Sequence, residues 1–173
     1  MKKIYFVLTH SGSFLSNCVR LYTKKKYSHV SISLDENLEH MYSFGRLQAY
    51  NPFFGGFVQE SPKYGTFKRF KNTSAKIYSL EISDNDYNKI KKIISKFDEN
   101  KNDYRFNMIG LVAVILNKSI KRNKHFYCAE FVKYVLDNTD IDLTLPDIIQ
   151  PGDFQKIDGS MCEYTGQLRD YKV

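Results

Sequence analysis

Apolar and polar residues alternate from His29 to Leu34: Val30, Ile32 and Leu34 share one face, His29, Ser31 and Ser33 the other. A period of two is the pattern of a half-buried strand. Helical spacing replaces it after Cys128, where Phe131, Val132, Val135 and Leu136 follow at i+3, i+4, i+7 and i+8. The same reading predicts a buried strand over Lys3 to Thr9 and a short helix over Phe14 to Tyr22. Phe14, Leu15, Cys18, Val19 and Tyr22 form the apolar side of that helix, which makes Cys18 a core residue. A strand over Lys76 to Ile82 leads to a helix capped by Ser83 or Asp84 and running to about Phe97. Glu99 to Asp103 reads as a polar link, and Tyr104 to Lys118, apolar on most sides, as a buried helix or a pair of short turns. The Cys128 helix should end near Asn138 and Thr139, and a last strand is placed near Met161 to Tyr164.

Leu38 to Phe44 is predicted to return as a hairpin partner of the His29 strand. Matching Val30, Ile32 and Leu34 to Leu38, Tyr42 and Phe44 pairs Leu34 with Leu38 across an Asp35-Glu36-Asn37 loop, with Asn37 in the left-handed position. Ser43 then stands opposite His29, with Glu39 further along the same face. A two-residue loop would instead put Phe44 there and bring His40 onto the His29 face. The stretch Tyr50 to Phe70, with Pro52, Gly55 and Gly56, reads as a loop that packs its aromatics inward or covers a site.

These elements make an α+β protein, and 173 residues suit one domain spanning 1–173. No signal peptide is visible, and the longest apolar stretch, Met108 to Leu116, is too short to span a bilayer, so a cytoplasmic location is the expectation. Cys18, Cys128 and Cys162 show neither a disulfide framework nor metal-ligand spacing, and no cofactor is implied. The net charge of +7 gathers at Lys24 to Lys26, Lys68 to Lys71 and Lys118 to Lys124. Solvated loops account for it, though contact with anionic surfaces fits as well. No signature of specific nucleic-acid binding is present.

The candidate chemistry joins the two clearest patterns. Cys128 stands at the first turn of its helix, where the helix N-terminus favours a thiolate. His29 opens a strand face lined with small serines, which leaves room for a helix end to approach. A thiol at a helix start, an imidazole on a strand and a polar group to orient it are the parts of papain-type catalysis. Here the histidine precedes the cysteine, the reverse of papain's chain order. Ser28-His29-Val30-Ser31-Ile32, then Met41-Tyr42-Ser43-Phe44-Gly45-Arg46, then Tyr127-Cys128-Ala129-Glu130-Phe131-Val132 resemble the circularly permuted NlpC-type papain-like superfamily. That group includes YiiX-like bacterial proteins and lecithin:retinol acyltransferase-like enzymes. Asn51-Pro52-Phe53-Phe54-Gly55-Gly56-Phe57 is similar to Firmicutes members of it.

The resemblance implies a permuted papain-like fold, a central antiparallel sheet with the nucleophile helix packed on it. It implies a hydrolase or acyltransferase with Cys128 as nucleophile and His29 as base, acting on a peptide, lipid or other acyl substrate. Members often place His or Glu on the strand after the catalytic histidine; here Ser43 takes that place, with Glu39 and His40 as alternatives. Thr9, Ser11, Tyr27 and Tyr127 are the expected substrate contacts. The weak third residue favours, as the competing reading, a non-catalytic module that keeps the fold. A further reading is a peripheral lipid-binding protein using Phe53 to Phe57 and nearby lysines. His10, which ends the first strand and could line the same cleft, and His125 are read as surface residues rather than catalytic ones.

Overall fold

The structure is a computed structural model that describes residues 1–13, 16–17, 20–21, 24–48 and 51–172. The apolar stripe expected from Phe14 to Tyr22, Cys18 included, has its members outside these residues. Strand β1 is Lys2–His10, β2 His29–Ser33, β3 Met41–Gln48 and β4 Asn51–Glu60. After a short helix α1, Gly65–Arg69, come β5 (Ser74–Ile82) and α2 (Asp84–Glu99). Then follow β6 (Arg105–Phe106), α3 (Met108–Ile115), β7 (His125–Phe126), α4 (Cys128–Asp137) and β8 (Met161–Gln167). The long strands form one six-stranded sheet in the order β4-β3-β2-β1-β5-β8, and each of its recorded pairings is antiparallel. The protein is thus α+β, with a large antiparallel sheet.

β1 runs through the middle of this sheet, which is why Ile4 to Leu8 read as an unbroken apolar run: both faces are covered. Ile4, Phe6 and Leu8 join Val30, Ile32, Phe44 and Phe57 under helices α2 and α4. Tyr5 and Val7 face the other way, toward Met41, Phe67, Ala75 and Ile77. Helix α4 sets its Phe131 ring 5.4 Å from Phe44, 5.5 Å from Phe57 and 5.1 Å from Phe97 of α2. Ser83 begins α2 as expected, its hydroxyl accepting from the Asp86 backbone N–H at 3.0 Å.

Two expectations are corrected here. The hairpin register is displaced by two residues: Ile32 pairs with Tyr42 and Ser33 with Met41. The connection is longer than a three-residue turn because the Asp35 carboxylate accepts from the backbone N–H groups of Glu39 and His40, at 2.9 and 3.2 Å. The left-handed residue is Leu38, at φ 55°, and its side chain is buried with Met41 and Val7 rather than beside Val30. The second correction concerns Asn51 to Glu60, which is strand β4 and not a loop. Gly55 permits this: a Cβ there would lie 2.7 Å from Phe106 Cβ, so only glycine lets β6 close over the strand.

Phe131 is fully buried at the contact that seats α4 on the sheet. Phe131→Ala should therefore destabilise the protein by about 3–5 kcal/mol, measured by urea denaturation. A loss below about 1 kcal/mol would mean that α4 is not held by this cluster.

Candidate active site

Cys128 is the first residue of α4, and the helix start is closed by Glu130, whose carboxylate accepts from the Tyr127 N–H at 3.4 Å. As a first-turn residue, Cys128 has a backbone N–H with no partner within the helix. Its side chain is 4 % exposed and borders a cleft of about 70 Å3 together with His29. The thiol and the His29 imidazole line the same cleft, and the thiol is among the groups that raise the imidazole pKa.

The way they meet differs from expectation. Helix α4 packs on the Val30 and Ile32 face, whereas His29 alternates onto the Ser31 face with Phe67, whose ring lies 6.4 Å away. His29 is, however, the first residue of β2, and Cys128 the first of α4. The two side chains come together at the end of the sheet, where strand parity no longer separates them.

The group that orients the imidazole is Glu60, the last residue of β4. Its Oε2 accepts from His29 Nε2 at 2.9 Å and from the Ser31 hydroxyl at 2.6 Å. With Nε2 so engaged, Nδ1 is the ring nitrogen left for the thiol. The His29 and Glu60 side chains are 21 and 11 % exposed. Burial pushes the His29 pKa down, but the Glu60 charge, the Cys128 thiol and the hydrogen bond to Glu60 outweigh it. The imidazole is raised to about 10. Burial likewise opposes ionisation of Glu60, yet its pKa is lowered by the His29 charge and by hydrogen bonds from His29 and Ser31.

β3 lies between β2 and β4, and its Gly45 makes the bridge feasible. A Cβ there would stand 3.3 Å from Val58 Cγ2, 3.5 Å from Glu60 Oε1 and 3.6 Å from His29 Cε1. Continuing the observed register places Gly45, not Ser43, alongside His29. Ser43 is fully buried and donates to the Val30 carbonyl at 2.8 Å, so it does not orient the ring. Glu39 pairs with Lys63 at the surface, and the His40 ring meets the Gln59 side chain.

Of the expected substrate contacts, Thr9 and Ser11 line the cleft. Tyr27 is packed into the core, and the Tyr127 hydroxyl is committed to the Ile149 carbonyl at 3.1 Å; neither lines it. Thr9 pairs with His29 in the β1–β2 ladder, and its Oγ1 is buried with no hydrogen-bond partner. His10 is buried rather than at the surface. Its Nδ1 lies 2.8 Å from Ser16 Oγ and 3.2 Å from Ser28 Oγ, and both serines line the cleft. Burial, and then the Arg20 charge, hold its pKa below the ordinary value. His125 lies outside the cleft lining, its Nδ1 bonded to the Asn123 carbonyl at 2.7 Å.

The cleft lining therefore combines hydroxyls, among them Thr9, Ser11, Ser13, Ser16 and Ser28, with apolar groups, Phe44, Phe67, Phe106 and Leu111, and the charged Arg46 and Glu60. Cys128 and His29 belong to the same lining. No protein-family model matches the chain, and no curated protein matches it. Among the described residues no helix is long and apolar enough to cross a membrane.

The ion pair sets a pH dependence of stability. His29 holds its proton more tightly when folded, so its contribution is full below pH 6.5 and declines as pH rises toward about 10. Glu60 is depressed, so its contribution is full above 4.5 and declines as pH falls below that value. Denaturant midpoints of wild type relative to Glu60→Gln should differ most between pH 4.5 and 6.5, and the difference should shrink toward pH 10. A difference that is flat over this range would mean that the pair is not charged.

Proposed function

We propose that this chain is a cysteine-dependent hydrolase or acyltransferase of permuted papain-like type, with Cys128 as nucleophile, His29 as acid and base, and Glu60 as the positioning residue. The observation that carries this reading is the Glu60–His29 hydrogen bond in a cleft that Cys128 lines beside them, close enough to the imidazole to raise its pKa. A thiol beside an imidazole that a carboxylate orients is the arrangement of thiol catalysis. The ground for a non-catalytic reading was a weak third residue; Glu60 supplies a strong one.

A His29 kept protonated by Glu60 stabilises the Cys128 thiolate beside it. The thiolate attacks a substrate carbonyl, forming the carbon–sulfur bond, while the oxyanion takes up the backbone N–H of Cys128. The tetrahedral centre collapses, the bond to the leaving group breaks, and His29 gives that group its proton. The resulting thioester is resolved by water or by another nucleophile, whose proton His29 accepts. The apolar groups of the cleft suit the acyl portion. Thr9 Oγ1, buried without a partner, is available to hydrogen-bond the substrate's polar group. The reacting bond is an amide, ester or thioester.

Iodoacetamide alkylation followed peptide by peptide tests the thiolate, with exposed Cys162 as internal reference. Near pH 6, Cys128 should react faster than Cys162 despite its burial. His29→Ala and Glu60→Gln should each slow Cys128 and leave Cys162 unchanged. With acyl, amide and thioester probes, turnover should vanish in Cys128→Ala and fall about 10²–10⁴-fold in His29→Ala. Equal alkylation of Cys128 in wild type and both variants, with no turnover of any probe, would sink the catalytic reading.

A further inference from the structure

Helix α3, expected to be buried all round, is not. Its C-cap is Leu116, and Ile109, Val112 and Leu116, at i, i+3 and i+7, form one stripe that faces solvent. Ile120, in the following loop, joins them, and the four side chains are 43–65 % exposed. A helix of a soluble core does not ordinarily leave its aliphatic stripe uncovered while its other side packs.

The placement of Ile120 is built in. Asn107, fully buried at the N-cap of α3, accepts from the Gly110 N–H at 2.9 Å and donates to the Ile120 carbonyl at 3.0 Å. Its amide also reaches Glu130 Oε2 at 3.5 Å, the carboxylate that closes the start of α4. One side chain thus folds the loop back along α3 and ties both to the helix that carries Cys128.

The same loop holds Lys118, Lys121, Arg122 and Lys124, all exposed. Lys124 pairs with Asp103 at 2.8 Å, while Lys118, Lys121 and Arg122 are presented beside the apolar stripe. Aliphatic side chains flanked by cations are the composition of an element that lies in a lipid headgroup layer. A second copy of the chain is a poor occupant, because two-fold pairing of this face brings the two basic loops together.

We propose that α3 and the loop to Lys124 form a docking surface for an anionic lipid bilayer, with Ile109, Val112, Leu116 and Ile120 entering the interface and Lys118, Lys121 and Arg122 contacting acidic headgroups. The inner side of α3 lines the catalytic cleft through Leu111, and Phe106 just before it does the same. Docking therefore sets the cleft beside the surface. The proposal moves the lipid contact from the Phe53 to Phe57 segment onto α3: Phe57 is buried in the core, although Phe54 is exposed. It does not rest on the catalytic reading, so the test uses a chain that cannot turn over.

The full chain carrying Cys128→Ala is co-sedimented with phosphatidylcholine vesicles, with and without phosphatidylserine. Binding should require phosphatidylserine. Replacing Lys118, Lys121 and Arg122 together by Ala should weaken it roughly a hundredfold, about fivefold for each charge. Replacing Ile109, Val112 and Leu116 together by Asn should weaken it roughly tenfold or more. Because those side chains are exposed, circular dichroism and thermal unfolding should be nearly unchanged in both variants. Absence of binding to either vesicle overturns the proposal, as does binding unaffected by the apolar variant and abolished by salt. A concentration-dependent dimer lost in the apolar variant, with no vesicle binding, assigns the face to self-association instead.

Discussion

A buried imidazole stays charged only if an anion is buried with it, and that constraint organises this site. Burial alone disfavours ionisation of both His29 and Glu60, and each is kept charged by the other. The pair demands specific neighbours. Ser31 uses its hydroxyl on Glu60, at 2.6 Å, so the carboxylate oxygen that meets the ring is doubly hydrogen-bonded. Gly45 lies in the strand between them, where a Cβ would be tight against Val58 and in contact with Glu60 and His29. The serine-lined face and the glycine of β3 are consequences of one requirement: a carboxylate must cross a strand to reach an imidazole.

The candidate site residues stand at the ends of elements. His29 begins β2, Cys128 begins α4, Glu60 ends β4, and Thr9 is the last residue but one of β1. Within a sheet, alternation would keep His29 from the helix, since α4 covers Val30 and Ile32. At the sheet's end a side chain can turn past the rim, and the helix terminus meets it with an unsatisfied N–H. The same geometry explains why burial and access coexist. The thiol is almost wholly enclosed, yet it borders the cleft.

The parts legible in the sequence were those with a strong local period. The alternation around Ile32 and the helical spacing after Cys128 placed His29 and Cys128 on the elements they occupy. Long-range facts were harder. The register slipped by two because Asp35 uses its side chain to widen the turn, a choice that apolar matching does not see. Glu60 went unnoticed because Gly55 and Gly56 made β4 look like a loop; those glycines instead admit Phe106 and Tyr104 against the strand. Helix α3 was read as buried because its apolar residues surround the axis. Composition alone cannot separate a core helix from one with an uncovered stripe. His10 was mistaken for a surface group because nothing local announces that Ser16 and Ser28 converge on it.

Two histidines beside one cleft are pushed in opposite directions, and the contrast assigns their roles. His29 has the Glu60 carboxylate beside it and is raised; His10 meets the Ser16 and Ser28 hydroxyls and the Asn17 side chain, and is lowered, first by its burial and then by the Arg20 charge. His10 is therefore neutral where His29 is charged, and it meets Ser16 and Ser28, themselves 2.7 Å apart, without adding a second positive charge near the thiol. A charged group there would compete with His29 for the thiolate and for any oxyanion formed on the substrate. Instead the hydroxyls offer hydrogen bonds without charge, and among the described residues the one of them left buried and unpaired is Thr9, the cross-strand neighbour of His29. In the proposed mechanism the acid–base work therefore falls to one imidazole, with the hydroxyls of the neighbouring strand and loop beside it.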